Sequence, residues 1–331
     1  MTVQTMLNRF GRDSRPQDSL KLYYASDIHG SDVLWRKFLN AAKHYECSTL
    51  IMGGDLTGKA LVPIVQTNGK YAAWVVGEER RATSAEELDE LERAIRMNGF
   101  YPLHTTPEEH QAMRDDASYR EQMFARAMIE DLERWVDLAE ERLATAAVQL
   151  YVMPGNDDPW PIDEVLEQSP VVLVCDGRIV DVGGHEMLSC GFSNPTPWNS
   201  PRELAEDELY AKVRSLAEQL RSPETAIFNL HVPPYDSGLD TAMEVDEELR
   251  PVLKSGRPNE IPVGSTAVRQ LIEEFQPALA LHGHIHESRG ITRIGRTVAI
   301  NPGSDYSSGR LEGCVVDLTP TSVKNFQLLS G

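Results

Sequence analysis

Five short apolar runs in this chain each end on side chains that can bind a cation, and this ordered repetition constrains the fold more than any single motif does. Lys21 to Ser26 leads into Asp27-Ile28-His29, Ser48 to Met52 into Gly53-Gly54-Asp55, and Val148 to Met153 into Pro154-Gly155-Asn156. Ala226 to Leu230 ends at His231, and Ala278 to Leu281 ends at His282-Gly283-His284-Ile285-His286. Short apolar runs bounded by turn residues read as buried strands. The polar patch after each then lies beyond a strand's C-terminal end, where α/β sheets gather their ligands. Asp32 to His44 places Val33, Leu34, Phe38 and Ala41 at helical spacing, which completes a strand, loop and helix.

The 331 residues, 41% of them hydrophobic, can fill one large α/β core. We expect a frayed leader over residues 1–20, which lacks the apolar run of a signal peptide, and a single domain over 21–331. A net charge of -19 opposes a sequence-independent grip on nucleic acid or anionic membrane, because both depend on Lys and Arg neutralising phosphate. Arg80 and Arg81 are a lone basic pair, too little for a nucleic-acid stripe. No stretch approaches the ~18 apolar residues of a membrane span. Cys47, Cys175, Cys190 and Cys314 are scattered without metal or redox spacing and read as buried small hydrophobes in a reducing compartment. A cytoplasmic protein is expected.

The interval from Asp55 to Asn156 is too long for one crossover helix. Leu61 to Val76 reads as a hairpin around Asn68-Gly69, the dipeptide suited to a type I′ turn. Thr83-Ser84-Ala85-Glu86-Glu87 opens a helix through Leu88, Leu91 and Ile95 that stops near Asn98-Gly99. A longer helical stretch is expected over 107–147, with Met113, Phe124, Met128, Leu132, Trp135, Ala139 and Leu143 on one face. Residues 59–120 are thus expected to form an insertion acting as a cap or dimer element. A homodimer contact would be sought at Trp135. Further on, Asn194, Thr196 and Trp198 lie in a proline-rich loop that, like the insertion, is placed to select a substrate. The runs at 297–300, 314–318 and 323–329 read as closing strands of a second sheet.

Two divalent ions held ~3.5–4 Å apart need a shared anionic bridge and a mixture of imidazole and carboxylate ligands. Asp27, Asp55, Asn156 and the histidines His29, His231, His284 and His286 provide that mixture. The sequence D-x-H, G-D, G-N, a lone His before Pro, and G-H-x-H resembles the calcineurin-like metallophosphoesterase superfamily over nearly the whole chain outside the insertion. Leu230-His231-Val232-Pro233-Pro234, Gly264-Ser265, Gly283 to Ser288 and Asn301-Pro302-Gly303-Ser304 are similar to its predicted phosphoesterases related to the bacterial cyclic-nucleotide phosphodiesterase.

The resemblance implies an α/β fold with two mixed β-sheets in a sandwich flanked by helices, here carrying a hairpin-plus-helix insertion. It implies that Asp27, His29 and His286 hold one metal, that Asn156, His231 and His284 hold the other, and that Asp55 bridges them. Mn, Fe, Zn, Ni or Co would suit these ligands, with a bridging hydroxide as nucleophile. The implied activity is metal-dependent hydrolysis of a small phosphoester substrate. A phosphomonoesterase or nucleotide hydrolase on the same site, or a scaffold without turnover, are the alternatives.

One position departs from the pattern. Asp157 stands where the superfamily commonly places a His that protonates the leaving group, and Asp158 follows it. An aspartate beside two cations stays ionised and is a poor acid. A phosphodiesterase is therefore expected, with Asp157 and Asp158 as the carboxylates near the reaction. Asp158 is expected to orient a ligand histidine or a bound water. His282 is expected to be structural, and His104 is the one unmatched histidine placed to reach the cleft.

Overall fold

A computed structural model describes residues 19–331, so the expected leader lies almost wholly outside the described residues. Two six-stranded mixed sheets face one another. The first is built from β1 (Leu20–Ala25), β2 (Thr49–Met52), β7 (Gln149–Val152), β8 (Val172–Val174), β19 (Glu312–Thr319) and β20 (Ser322–Ser330), in the order β20-β19-β1-β2-β7-β8. Its members β1, β2, β7 and β8 run parallel, and β19 and β20 add antiparallel. The second comprises β9 (Ile179–Val182), β10 (His185–Cys190), β11 (Ile227–Leu230), β16 (Leu279–Leu281), β17 (Gly290–Ile294) and β18 (Thr297–Asn301), in the order β17-β18-β16-β11-β10-β9. Its four central strands are parallel and both edges are antiparallel.

The period-2 alternation of a strand explains the layering. Along β1, Leu20, Leu22 and Tyr24 point between the sheets, where they meet Met187, Ile227, Leu279 and Ile300 of the second sheet. Tyr23 and Ala25 point the other way, into a core formed with helices α1 (Asp32–His44), α4 (Ala117–Leu143) and α5 (Ile162–Gln168). Helices α6 (Glu206–Ala217) and α7 (Thr266–Phe275) cover the outer face of the second sheet. Strands buried on both faces read as continuous apolar runs, which is why the five runs stand out. No helix among the described residues is long and apolar enough to cross a membrane.

Between β2 and β7 lies a third sheet made of β3 (Ala60–Thr67), β4 (Lys70–Val75), β5 (Glu78–Ala82) and β6 (Phe100–Thr105), in the order β5-β4-β3-β6. Helix α2 (Ala85–Met97) packs on it through Leu91 and Ile95. The hairpin turns at Asn68 and Gly69 with φ of 50° and 73°, the double left-handed geometry of a type I′ turn. Two minor pairs, β12 (Thr241–Met243) with β15 (Glu260–Pro262) and β13 (Leu253–Lys254) with β14 (Arg257–Pro258), complete the strands.

Several expectations need correction. Only the run at 297–300 closes the second sheet; β19 and β20 return to the first, beside β1. The helical stretch from Pro107 is broken at Asp116. There α3 (Pro107–Asp115) ends and the Asp116 side chain caps α4 by accepting from the N–H groups of Ser118 and Tyr119. Trp135 is not a surface residue. It is 2% exposed and stacked on Trp35 at 5.4 Å, and so serves the core.

Candidate metal centre

The loops following β1, β2 and β7 of the first sheet and β11 and β16 of the second converge at one end of the sandwich. Backbone hydrogen bonds continue past the strands: Asp27 N–H donates to Gly54, His29 N–H to Asp55 and Gly30 N–H to Leu56, at 2.9, 3.0 and 2.7 Å. Four candidate ligands sit in the left-handed region, Asp27 at φ 57°, His29 at 40°, Asp55 at 51° and His284 at 67°. Each such residue costs roughly 1–3 kcal/mol and persists only where its surroundings fix it. Such strain gathers at functional sites. Two glycines permit the crowding, since a Cβ on Gly155 would come 2.2 Å from Asp55 Oδ1 and one on Gly283 2.2 Å from Asp27 Oδ2.

The donor atoms form three groups whose members lie within 4.8 Å of one another: Asp27 with His29 and His286, Asp55 with His231 and His284, and His29 with Asp55 and Asp157. Nε2 of His29 is 3.0 Å from Nε2 of His286, and Nε2 of His231 is 3.0 Å from Asn156 Oδ1. Donor atoms at that separation suit a shared ion, because ligands ~2.1 Å from a metal lie about 3 Å apart when the angle between them is near 90°. His286 Nε2 also lies 3.4 Å from Asp27 Oδ1. Asp55 faces both ways, with Oδ2 3.7 Å from His29 Nε2 and Oδ1 3.4 Å from His231 Nε2.

The surroundings orient these donors. His231 Nδ1 donates to the Gly53 carbonyl at 2.9 Å, which turns Nε2 towards the site. The Asp27 carboxylate accepts the His284 N–H at 3.0 Å, and Ser304 Oγ donates to the Asp27 carbonyl at 2.6 Å. Burial holds His29 well below the ordinary histidine range, with help from His286 and Lys59, and takes His284 down to about 3. Both are therefore neutral, the form that binds metals. Burial raises Asp55 to about 6, whereas His231, which burial alone would lower, is lifted to about 10 by the Asp55 and Asp27 carboxylates. The direction we hold for this pair is a protonated His231 beside Asp55, a proton that a cation must displace. Burial alone would raise Asp27, but hydrogen bonding from His286 and the charges of His231, His286 and His29 carry it well below the carboxylate range.

The two neighbouring aspartates differ sharply. Asp157 Oδ2 pairs with Lys59 Nζ at 2.9 Å, and its Oδ1 accepts from Ser200 Oγ at 2.5 Å. Burial works against its ionisation, but Lys59, Ser200 and His29 together hold the carboxyl down to about 2. A group ionised this firmly has no proton to give at neutral pH. Asp157→Asn is therefore expected to reduce turnover by well under the roughly 10²–10⁴-fold of a lost general acid, leaving the pH–rate profile unmoved between pH 5 and 8. A profile that lost its alkaline limb would identify Asp157 as an acid after all. The Asp158 carboxylate hydrogen-bonds to no histidine. Fully buried, it accepts from the N–H groups of Leu56, Thr57 and Gly155 and from the Thr57 hydroxyl at 2.7–3.0 Å, joining the loops that carry Asp55 and Asn156.

His282 is buried with Nδ1 on the carbonyls of Leu230 and Val232 and lies outside the centre, as expected. His104 does not reach the cleft; it pairs with Glu92 at 2.7 Å on the third sheet. Sequence reasoning missed Lys59, Ser200 and Tyr306, whose ring lies 4.8 Å from that of His29. Lys59 follows Asp55 by four residues, a signal that was available. Ser200 and Tyr306 are brought in only by tertiary structure.

The sandwich of two facing mixed sheets flanked by helices is the fold implied by the resemblance to the calcineurin-like metallophosphoesterases. The chain is 30% identical over 177 residues to the uncharacterized protein MJ1162 of Methanocaldococcus jannaschii, a match spanning 53% of this chain and 70% of that protein, and it belongs to that protein's family. No family model matches. A crystal structure 17% identical to the chain aligns over 94% of it, and over 98% of its own length, with a TM-score of 0.54. The protein TT1561 of Thermus thermophilus, 15% identical, does so over the same shares with a TM-score of 0.50. Both share the fold.

Proposed function

We propose that this protein is a metal-dependent hydrolase of phosphate esters that prefers phosphodiesters and works with two divalent ions. The observation that supports this reading most is Asp55, which presents one carboxylate oxygen to the His29 side and the other to the His231 side. Asp27, His29 and His286 would hold one ion and Asn156, His231 and His284 the other, with Asp55 between. The buried, proton-free imidazoles of His29 and His284 and the mixed oxygen and nitrogen donors suit Mn, Fe, Zn, Ni or Co. Bound ions supply Lewis acidity towards phosphoryl oxygen and activate water at neutral pH.

The chain's own residues then orient and balance charge. Two carboxylates against two dications leave the site net positive, which suits a phosphate anion. Lys59 adds a cation at the rim, 2.9 Å from Asp157. Because Asp157 has no proton to donate, an ester whose leaving group needs little protonation is favoured, and this supports the diester preference.

Chelator-treated protein reloaded with Mn²⁺ is expected to hydrolyse bis(p-nitrophenyl) phosphate with a higher kcat/KM than p-nitrophenyl phosphate, and neither without metal. A strong monoester preference would overturn the diester assignment. Metal binding with no turnover of either would leave a scaffold.

A further inference from the structure

Beside the centre, a pocket of about 240 Å³ is lined by Thr57, Gly58, Lys59, Phe124, Met128, Asp157, Pro159 and Pro201. Its inner end borders the metal ligands, because Asp157 N–H donates to Asp55 Oδ1 at 3.0 Å and the Asp157 carboxylate groups with His29 and Asp55. One wall is Phe124 and Met128, one turn apart on α4; Pro159 and Pro201 contribute two rings without N–H groups.

Several polar groups of the lining are already committed to protein partners. Thr57 gives its N–H and hydroxyl to Asp158, Gly58 its N–H to Tyr101 Oη, and Lys59 and Asp157 hold each other. Such a pocket selects by shape and apolar contact, since a ligand with its own donors and acceptors would leave them unpaired. At about 240 Å³ it also falls below the roughly 300–1,000 Å³ of pockets for drug-sized ligands, so it takes a single ring.

We infer that this pocket is the subsite for the organic group of the ester, and that the group it accepts is an uncharged aryl ring. The inference rests on the phosphoesterase reading above. The ring enters between α4 and the prolines, while the phosphoryl group lies towards Asp55. Helix α4 thereby selects the substrate through Phe124 and Met128. Nucleobases, which carry several hydrogen-bonding groups, fit it poorly.

Calorimetric titration of the Mn²⁺-loaded protein with phenylphosphonate and methylphosphonate tests this without turnover. Phenylphosphonate is expected to bind at least about tenfold more tightly, from the apolar area of a buried ring. Pro201 is exposed, so Pro201→Trp can obstruct the pocket without disturbing the core. It should bring the ratio to within about twofold of unity and leave methylphosphonate affinity unchanged. Phe124→Ala should lower the ratio by removing a wall. A wild-type ratio near one, or a ratio that survives Pro201→Trp, overturns the subsite while leaving the phosphoesterase reading intact. Failure to bind either phosphonate overturns both.

Discussion

Replacing Asp55 by asparagine is expected to lower phosphoester turnover by more than about 100-fold. That threshold is the cost seen when residues merely supporting metal ligands are removed, and Asp55 touches both halves of the centre directly. Asparagine matches its volume and tolerates its φ of 51°, so the fold should survive. What changes is chemistry. One oxygen becomes an NH₂ that donates where an acceptor is needed, and one anionic charge of the candidate centre is lost. Mn²⁺ at about 100 times its Kd should raise the wild-type Tm by several degrees, from the roughly 2.7 kcal/mol that such saturation gives the folded state. In Asp55→Asn most of that rise should vanish. Thermal denaturation with and without metal measures it, and an unchanged rise with wild-type turnover would remove Asp55 from the centre.

Asp158→Ala should cost about 3–5 kcal/mol of stability. Its two oxygens accept four hydrogen bonds from Leu56, Thr57 and Gly155, and each donor left buried and unpaired costs roughly 1–3 kcal/mol before relaxation. Urea denaturation should show a lower midpoint with the slope unchanged. Turnover should fall as well, because Asp55 and Asn156 ride on the loops that Asp158 joins. Asp157→Asn, one residue away on a partly exposed ion pair, should cost about 1 kcal/mol or less. Equal losses for the two variants would contradict these assignments.

The two aspartates also show what the sequence could and could not convey. The five strand-end patches were legible because each strand is buried on both faces and ends abruptly at polar residues. Asp27, His29, Asp55, Asn156, His231, His284 and His286 accordingly lie together in space. Nothing in Asn156-Asp157-Asp158 distinguishes an aspartate turned to Lys59 from one turned into backbone N–H groups. That depends on the path of the β2 loop more than 100 residues earlier in the chain.

The strands β5 and β6 were missed for a related reason. Glu78-Glu79-Arg80-Arg81-Ala82 is a mostly exposed edge strand with no apolar alternation, and β6 is held by parallel pairing to β3 although Pro102 interrupts it. β19 joins the first sheet because β1 offers it a free edge, and β20 then pairs on β19, a fact of topology and not of local pattern.

The centre's donors are divided between the two halves of the sandwich. Asp27, His29, Asp55 and Asn156 ride on the first sheet, and His231, His284 and His286 on the second. A chain in which only one half had formed could close neither the cluster containing His286 nor the one containing His284. An ion bound there acts as a rivet between halves that are far apart in sequence. The order in which metal affinity and sheet protection appear during refolding would therefore show whether the two halves dock before the site exists.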